Sequence, residues 1–375
     1  MAMTSRERMQ LAINHKEPDR VPVDWGILNI ASIHETAYRN LLNYLGKEEE
    51  IIIHDPIQVL ALPSDEIMDM FNVDTRYIIP NAPSFWSLKY NENGDWVNEF
   101  GTYYKRVGNY CDFVEFPLGK CETIQDLKQF KMPDPTDSAR WKGLKEKAKW
   151  MRENTDYALS GYPAPNLHYV NWTLRGFQSY MTDMAADPAF ANYITDMVLD
   201  WQIAFMGCYL DEVGEYLDIQ WSGGDWGTQT GPLCHPDVFR RDVLPREKKL
   251  LEFLHSKSNA KVGYHSCGSI YWCMNDLIDI GVDIIQPVQP NATDMGDLKR
   301  LKKEFGDRVV FHGATNNQGL FHKTPELIEE NVKDTIEALA PGGGYIFSSC
   351  HNIQANMPPE NVMALFEAAK KYGDY

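Results

Sequence analysis

Apolar residues along this chain recur in short runs, separated by longer stretches with a helical period. The runs are rich in β-branched and aromatic residues, which predicts strands. Eight runs are predicted as strands: PVDWG at 22–26, DTRYIIP at 74–80, YALSGY at 157–162, YLDIQWSG at 216–223, KVGYHSC at 261–267, DIIQPV at 283–288, RVVFHGA at 308–314 and GYIFSSC at 344–350. Because strands alternate with helices, we predict an α/β fold in which eight parallel strands close into a TIM (β/α)8 barrel. A doubly wound open sheet is the alternative.

Three of the intervening stretches carry start signals for helices. Ser5 precedes the amphipathic segment RERMQLAINH. Asp187-Pro188 and Thr324-Pro325 each combine a capping residue with a proline at the first helical position. These signals predict helices on the outside of the barrel.

The alternation of strands and helices is interrupted between residues 81 and 135. Within this stretch, NENGDWVNEFGTYYKRVG contains Asn93-Gly94, a dipeptide typical of tight turns between antiparallel strands. We therefore predict a hairpin around Asn93-Gly94, as an excursion from the barrel after its second strand.

Composition and charge narrow the classes of partner. The 375 residues are 43% hydrophobic and 24% charged, which is typical of a globular protein with a large core. The formal net charge of -17 argues against nucleic acid or an anionic membrane as a partner, because either needs a concentrated basic surface. The N-terminal segment is charged and no apolar run is long enough to span a bilayer, so we expect a cytoplasmic protein.

A short motif at the end of the fifth predicted strand places two metal-binding residue types together. The seven cysteines have no spacing typical of a secreted disulfide scaffold, so we expect reduced thiols. Residues two apart in a strand point to one face, so His265 and Cys267 present a nitrogen and a sulfur to the same point. With Cys350, at the end of the eighth strand, they form a Cys2His set typical of catalytic zinc. The alternative is that all three are ordinary buried residues.

Other candidate residues also fall at predicted strand ends, where TIM barrels carry their active sites. Asp225 lies in a glycine-rich turn and is a candidate for an acid/base role, with backbone capping as the alternative. Candidate substrate contacts are Trp25, Tyr162, Trp226, His312 and His351. For the two histidines, a hydrogen-bonded packing role is the alternative.

Three blocks of the sequence resemble the uroporphyrinogen decarboxylase superfamily, and more narrowly its corrinoid-dependent methyltransferase branch. They are TSRERMQLAINHKEPDRVPVDW, YHSCGSIYWCMNDLIDIGVDIIQPVQPNATDM and APGGGYIFSSCHNIQANMPPENVMALFEAAKKYG. The resemblance runs nearly from end to end and implies one TIM-barrel domain over residues 1–375. In the zinc methyltransferases of the branch, an H-x-C pair and a distant Cys hold the metal, and here these positions are His265, Cys267 and Cys350.

One block departs from the decarboxylases of this superfamily. They carry an arginine-bearing motif of the form R-Q-A-G-R-Y after the first strand, to hold porphyrin carboxylates. The corresponding stretch here is PVDWGILNIAS, and no arginine follows Val21 until Arg39. This difference disfavours a tetra-anionic porphyrin as the substrate.

The resemblance implies a zinc-dependent methyl transfer between a small methylated substrate and a corrinoid carried by a partner protein. Zinc acting as a Lewis acid would stabilise the leaving phenolate of a methyl ether while a Co(I) corrinoid attacks the methyl group. With a thiol substrate, the metal would instead hold a thiolate that accepts the methyl group. The segments GDWGTQTGPL and HNIQ resemble the O-demethylase members, which favours an aromatic methyl ether.

Three alternatives remain open. They are a methylcorrinoid-to-thiol methyltransferase, a metal-free uroporphyrinogen decarboxylase and a non-catalytic partner of a corrinoid protein. The chain lacks the D-x-H-x-x-G pattern of cobalamin-binding domains, so we expect the corrinoid to come from a separate protein.

Overall fold

The computed structural model of the protein describes residues 3–28, 30–162 and 166–375. In chain order, the strands are β1 (Ile33–His34), β2 (Ile52–Asp55), β3 (Leu60–Leu62), β4 (Thr75–Ile78), β5 (Trp96–Val97), β6 (Tyr103–Val107), β7 (Tyr110–Glu115), β8 (Ala158–Gly161), β9 (Ile219–Gly223), β10 (Lys261–His265), β11 (Ile284–Val288), β12 (Val310–Thr315) and β13 (Tyr345–Ser349). The α-helices are α1 (Ser5–Ala12), α2 (Glu35–Leu45), α3 (Asp65–Met70), α4 (Ile124–Leu127), α5 (Leu144–Asn154), α6 (Leu167–Arg175), α7 (Phe177–Ala186), α8 (Pro188–Val213), α9 (Pro236–Val238), α10 (Leu244–Lys257), α11 (Met274–Asp279), α12 (Leu298–Phe305), α13 (Asn317–Leu320), α14 (Pro325–Leu339) and α15 (Pro359–Tyr372).

A curved parallel sheet is the centre of the fold. Its strands follow one another in space in the same order as in the sequence: β4, β8, β9, β10, β11, β12 and β13. Each coincides with one of the predicted runs, with β12 extending one residue beyond its run, so the predicted TIM-barrel fold is confirmed. Apolar side chains such as Ile219, Ile284, Val310 and Ile346 come from these strands and form a buried cluster of their own.

The first predicted strand is not a regular strand, but it joins the two edges of the sheet. Asp24 donates its backbone N–H to the Phe347 carbonyl of β13 at 2.9 Å, and Phe347 donates to the Pro22 carbonyl at 2.9 Å. On the other side, the Val23 carbonyl accepts from the Asp74 N–H, just before β4, at 2.8 Å. Pro22 has no N–H for a ladder, which limits regular pairing. The barrel is therefore closed by a short irregular segment.

A three-stranded antiparallel sheet of β5, β6 and β7 follows β4, so the predicted excursion after the second barrel strand is confirmed. The predicted place of its hairpin turn is wrong. Asn93-Gly94 forms a turn before β5, where the Asn91 side chain accepts the Asn93 N–H at 2.9 Å. The β5–β6 turn instead centres on Asn98, whose side chain accepts the Thr102 N–H at 2.9 Å. An Asn-Gly pair fits any tight turn with positive φ and does not reveal which strands the turn joins.

Helix starts follow the sequence signals closely. Thr4, one residue before the predicted Ser5, caps α1 and forms a capping box with Glu7. Asp187 caps α8 as predicted, with its side chain accepting the Phe190 N–H at 3.1 Å. No helix in the described ranges is both long and apolar enough to cross a membrane.

A second small sheet, of β1, β3 and β2, was not predicted. Its strands are two to four residues long, too short to show an alternating pattern. The segment at its start pairs with the chain that follows β13: Ser32 donates its N–H to the Asn352 side chain at 2.7 Å, and His34 donates to the Ile353 carbonyl at 2.8 Å. The sheet therefore lies beside the carboxyl end of the barrel.

Candidate metal centre

Three metal-binding side chains converge at the carboxyl end of the barrel. His265 ends β10, Cys267 follows two residues later, and His351 follows the end of β13. Their donor atoms all lie within 4.8 Å of one another, and the Cys267 sulfur is 3.5 Å from the His265 Nε2. Ligands about 2.0–2.3 Å from a tetrahedral zinc ion lie roughly 3.3–3.8 Å apart, so the observed sulfur–nitrogen separation fits an ion between them.

Cys350, the third ligand that the family resemblance implies, lines the same cavity as Cys267 and is 3% exposed. It is not part of the group whose donor atoms all lie within 4.8 Å, so its ligation stays a prediction. His351 joins that group instead, with its ring centroid 6.1 Å from that of His265. Because β13 ends at Ser349, strand alternation no longer fixes where the His351 side chain points.

The His265 ring is held by its neighbour in the sheet. Its Nδ1 donates to the Oε1 of Gln286, which is the paired residue on β11 and is fully buried. A proton on Nδ1 leaves the lone pair of Nε2 facing Cys267. A ligating histidine is commonly oriented by such an outer hydrogen bond. The role of Gln286 follows from strand register, which a single sequence does not provide.

Asp225, in the loop after β9, lies close to both His265 and Cys267. Its Oδ1 accepts the Cys267 N–H at 2.8 Å and lies 3.5 Å from the His265 Nε2. The backbone-capping alternative is therefore observed, while the carboxylate also lies next to both donors with its side chain 35% exposed. An acid/base role for Asp225 stays a prediction.

Burial sets the protonation of these groups. It raises the pKa of the Cys267 thiol well above its usual range, with Asp225 and Cys350 adding to the effect. Burial also raises the pKa of Cys350 and lowers that of His351 to about 4, with His265 adding to the latter shift. A coordinated divalent cation has the opposite effect on a thiol: it lowers the thiol pKa, so the sulfur loses its proton. Imidazole nitrogens and thiolate sulfurs are the N and S donors that suit zinc.

A cavity of about 520 Å³ lies beside the donor group. Its lining combines Cys267, Cys350 and His351 with side-chain amides from Gln229, Gln289, Asn291, Gln318, Asn352 and Gln354. Among the described residues that line it, none is Lys or Arg. A cavity of this size and neutral lining suits a small uncharged molecule.

The two tryptophans predicted as substrate contacts are packed in the core. Trp25 is 1% exposed and stacks on Phe366 with ring centroids 4.7 Å apart. Trp226 is fully buried, donates its Nε1–H to the Tyr264 hydroxyl at 3.0 Å and packs edge-on against His168. Neither is among the described residues that line the cavity, so this geometry does not support their predicted contact with substrate.

Tyr162 and His312, also predicted as substrate contacts, lie outside the described lining of the cavity. Tyr162 is half-buried, and its backbone N–H donates to the Tyr209 hydroxyl at 2.9 Å. His312 is fully buried within the barrel wall, and its Nε2 lies 2.8 Å from the Asp24 carboxylate. The packing alternative for His312 therefore fits the structure better than contact with substrate.

The fold and the donor group together define the class of protein: a TIM-barrel enzyme whose candidate metal centre lies at the carboxyl ends of its strands. The chain belongs to the uroporphyrinogen decarboxylase family, whose model, described as Uroporphyrinogen decarboxylase (URO-D), matches residues 118–372.

Similar proteins carry two different names. A uroporphyrinogen decarboxylase from Pseudoalteromonas atlantica is 30% identical over 261 residues, covering 67% of this chain and 69% of that protein. One from Psychromonas ingrahamii is 32% identical over 208 residues, covering 52% of this chain and 55% of that protein. Among solved structures, a methyltransferase from Methanosarcina mazei aligns with a TM-score of 0.64 and 18% identity over 99% of both chains. At that identity, the structural likeness concerns the fold.

Proposed function

We propose that this protein is a zinc-dependent methyltransferase, which moves a methyl group from a small methylated substrate to the Co(I) corrinoid of a partner protein. An aromatic methyl ether is the proposed substrate. The observation that carries the proposal is the convergence of His265, Cys267 and His351 donor atoms within 4.8 Å, beside a cavity of small-molecule size. A site of nitrogen and sulfur donors suits zinc, and a metal-free decarboxylation does not require one.

In this proposal, His265 and Cys267 would hold the zinc, with Cys350 as the third ligand that the family resemblance implies and His351 beside them. The bound zinc would supply Lewis-acid polarisation of the substrate heteroatom. Gln286 fixes the tautomer of His265 through its Nδ1–H. Asp225 fixes the backbone at Cys267 by accepting its N–H. These contacts hold the donors in place before substrate binds, which lowers the cost of reorganisation during the reaction.

The cavity lining favours an uncharged substrate over a porphyrin. Uroporphyrinogen carries many carboxylates, and a site for it needs cationic side chains to hold them. The described lining of the cavity has no Lys or Arg. Arg8 and Arg20 near the chain start are both engaged by the buried Asp74 carboxylate, at 2.6 and 2.8 Å. The decarboxylase reaction named for the sequence relatives is therefore the second candidate.

A methyl-transfer screen tests the proposal. Zinc-loaded protein is mixed with reduced corrinoid and, in separate arms, methoxyaromatics, methylamines, methylthiols or uroporphyrinogen. We expect the methyl-Co(III) spectrum to form in the methoxyaromatic arm, together with the demethylated phenol. A further arm starts from methyl-Co(III) corrinoid and a free thiol. Methyl loss in that arm, without reaction in the ether arm, would instead assign the thiol-methylating direction.

Two outcomes of the same screen contradict methyl transfer. Turnover of uroporphyrinogen with no methyl-Co(III) in any arm would assign decarboxylation. Phenol formed at full rate in the absence of corrinoid would point to hydrolytic or oxidative chemistry on this barrel.

A further inference from the structure

A buried carboxyl group lies behind the loop that carries Asp225. Glu247, on α10, is 0% exposed, and neither of its carboxyl oxygens accepts a hydrogen bond of ordinary geometry from the described residues. An ionised carboxylate in such a place is costly unless it is paired. Burial accordingly raises the pKa of Glu247 to about 8, although the nearby Tyr264 hydroxyl opposes the shift. With this pKa, Glu247 is mainly the neutral carboxylic acid at pH 7.

Glu247, Tyr264 and Trp226 meet at one point of the loop after β9. A Cβ atom on Gly224 would lie 3.3 Å from the Glu247 Oε1, 3.0 Å from the Tyr264 hydroxyl and 2.8 Å from the Trp226 Nε1. The Trp226 Nε1–H donates to the Tyr264 hydroxyl at 3.0 Å. Tyr264 therefore links the buried acid to the loop, and any side chain at position 224 would crowd the three polar groups.

The same loop is also hydrogen-bonded to Ser266 and Cys267, the two residues that follow β10. The Trp226 N–H donates to the Ser266 hydroxyl at 3.1 Å. One residue earlier, the Asp225 carboxylate accepts the Cys267 N–H at 2.8 Å. A chain of contacts thus runs from α10, through Tyr264 and Trp226, to the backbone of Cys267.

We propose that Glu247 is a positioning residue for the metal-binding residues at the carboxyl end of the barrel: as a neutral acid it packs beside the Tyr264 hydroxyl without competing for the Trp226 Nε1–H. Tyr264 then holds Trp226 and the loop that places Asp225 against Cys267. Ionised Glu247 would compete with the Tyr264 oxygen for the Trp226 Nε1–H and would draw in water, because a buried carboxylate needs donors. The contacts that hold the loop would then loosen. The inference goes beyond methyl transfer and holds whether or not a metal is bound.

Besides Asp225, four titratable groups among the described residues face this contact chain. They are Glu247, Tyr264 on β10, Cys273 just before α11 and His168 on α6. Cys273 adds to the raised pKa of Tyr264, and the His168 ring packs against Trp226 with ring centroids 4.0 Å apart. Burial raises the pKa of Tyr264 and of Cys273 and holds the pKa of His168 well below its usual range. Among these four, Glu247 is the group that changes charge between neutral pH and about pH 9.

Hydrogen exchange of the loop, residues 224–228, tests the inference without any substrate. The variants are Glu247→Gln, which imitates the neutral acid, Tyr264→Phe, which removes the hydroxyl, and Glu252→Gln as the matched control on an exposed face of α10. At pH 7 we expect the loop of the Glu247→Gln variant to exchange as in the parent protein. At about pH 9.5 we expect the parent and the control to exchange about tenfold faster than Glu247→Gln at the same pH. Tyr264→Phe should exchange fast at both pH values.

Unfolding measurements give a second readout. A folded-state pKa of about 8, against the ordinary 4.5, means that the folded protein holds a proton that the unfolded chain has lost, so stability falls as pH rises through this window. Glu247→Gln should remove the contribution of Glu247 to the pH dependence of the free energy of unfolding. If Glu247→Gln does not fold, Glu247→Met replaces it as the variant without a titratable group. Equal exchange in Glu247→Gln and the parent at high pH, or parent-like protection in Tyr264→Phe, would overturn the proposal.

Discussion

Two buried histidines of this barrel, His265 and His312, each lie beside a carboxylate, and their surroundings differ. His312 Nε2 lies 2.8 Å from the Asp24 carboxylate, which also accepts from the Tyr77 hydroxyl at 2.9 Å and from Thr75. His265 Nε2 instead lies 3.5 Å from the nearest oxygen of Asp225 and 3.5 Å from a thiol sulfur.

The difference separates a structural histidine from a candidate ligand. The oxygens of Asp24 are taken up by donors of the protein itself, and the group ties the segment that closes the barrel to β4 and β12. The donors around His265 lie at the separation that two ligands of one ion adopt. A histidine near a carboxylate is therefore informative only together with the distances between donor atoms.

The largest expected effect comes from removing a donor at the His265 end. Cys267→Ala should abolish stoichiometric zinc and lower methyl transfer by more than about 100-fold, because losing a ligand costs more than losing an outer contact. Metal analysis and the corrinoid assay measure both effects. The matched control is Cys273→Ala, a buried thiol bonded to the Ile270 carbonyl, which should keep its zinc and lose about 1 kcal/mol of stability. Full zinc occupancy in Cys267→Ala would remove this residue from the site.

His312→Ala should show the opposite pattern. It removes one of three donors to the buried Asp24 side chain and leaves a cavity in the barrel wall, so we expect a loss of about 3 kcal/mol in the free energy of unfolding, with zinc retained. Denaturant titration measures the loss, and His265→Ala is the comparison variant, in which zinc is lost and stability changes less. If His312→Ala lost its zinc while stability stayed unchanged, the distinction between the two histidines would be wrong.

Gln286→Ala tests the hydrogen bond that orients the His265 ring. Without the Oε1 acceptor, the ring is free to turn and its tautomer is no longer fixed, so zinc affinity should fall about 10–100-fold. Competition with a chelator measures the affinity. Gln318→Ala, on the cavity lining, is the control and should bind zinc as the parent does. Equal affinity in both variants would contradict a supporting role for Gln286.

The smallest effect is expected for Asp225→Asn. The Asn oxygen can still accept the Cys267 N–H, so zinc content and thermal stability should stay near those of the parent. Loss of the carboxylate should lower methyl transfer about tenfold if Asp225 acts on the substrate or its protons. An unchanged rate would leave Asp225 with the backbone role alone.

Much of the fold follows from local patterns. Seven buried parallel strands appear in the sequence as short apolar runs, because both faces of each strand are covered. The first barrel segment was predicted as a strand of the same kind, yet Pro22 and its short length leave it irregular. The β1–β3–β2 sheet escaped prediction because strands this short carry no period.

Part of the candidate site could be predicted from the spacing of two residues. His265 ends β10 and Cys267 lies just beyond it, and their donor atoms come within 3.5 Å of each other, as the i, i+2 spacing predicts. His351 lies beyond its strand, so its place among the donors depends on a loop path that no local pattern encodes. Trp25 and Trp226 were predicted from their position at strand ends, but large aromatic side chains fill a core equally well.

X-ray absorption at the zinc edge, together with metal analysis of the protein as purified, is the sharpest test of a zinc site in this barrel. We predict about one zinc ion per chain, bound by sulfur and nitrogen, with two sulfurs if Cys350 joins Cys267 as a ligand. Protein purified without stoichiometric zinc and unable to take it up, or a zinc shell made only of oxygen and nitrogen, would contradict it.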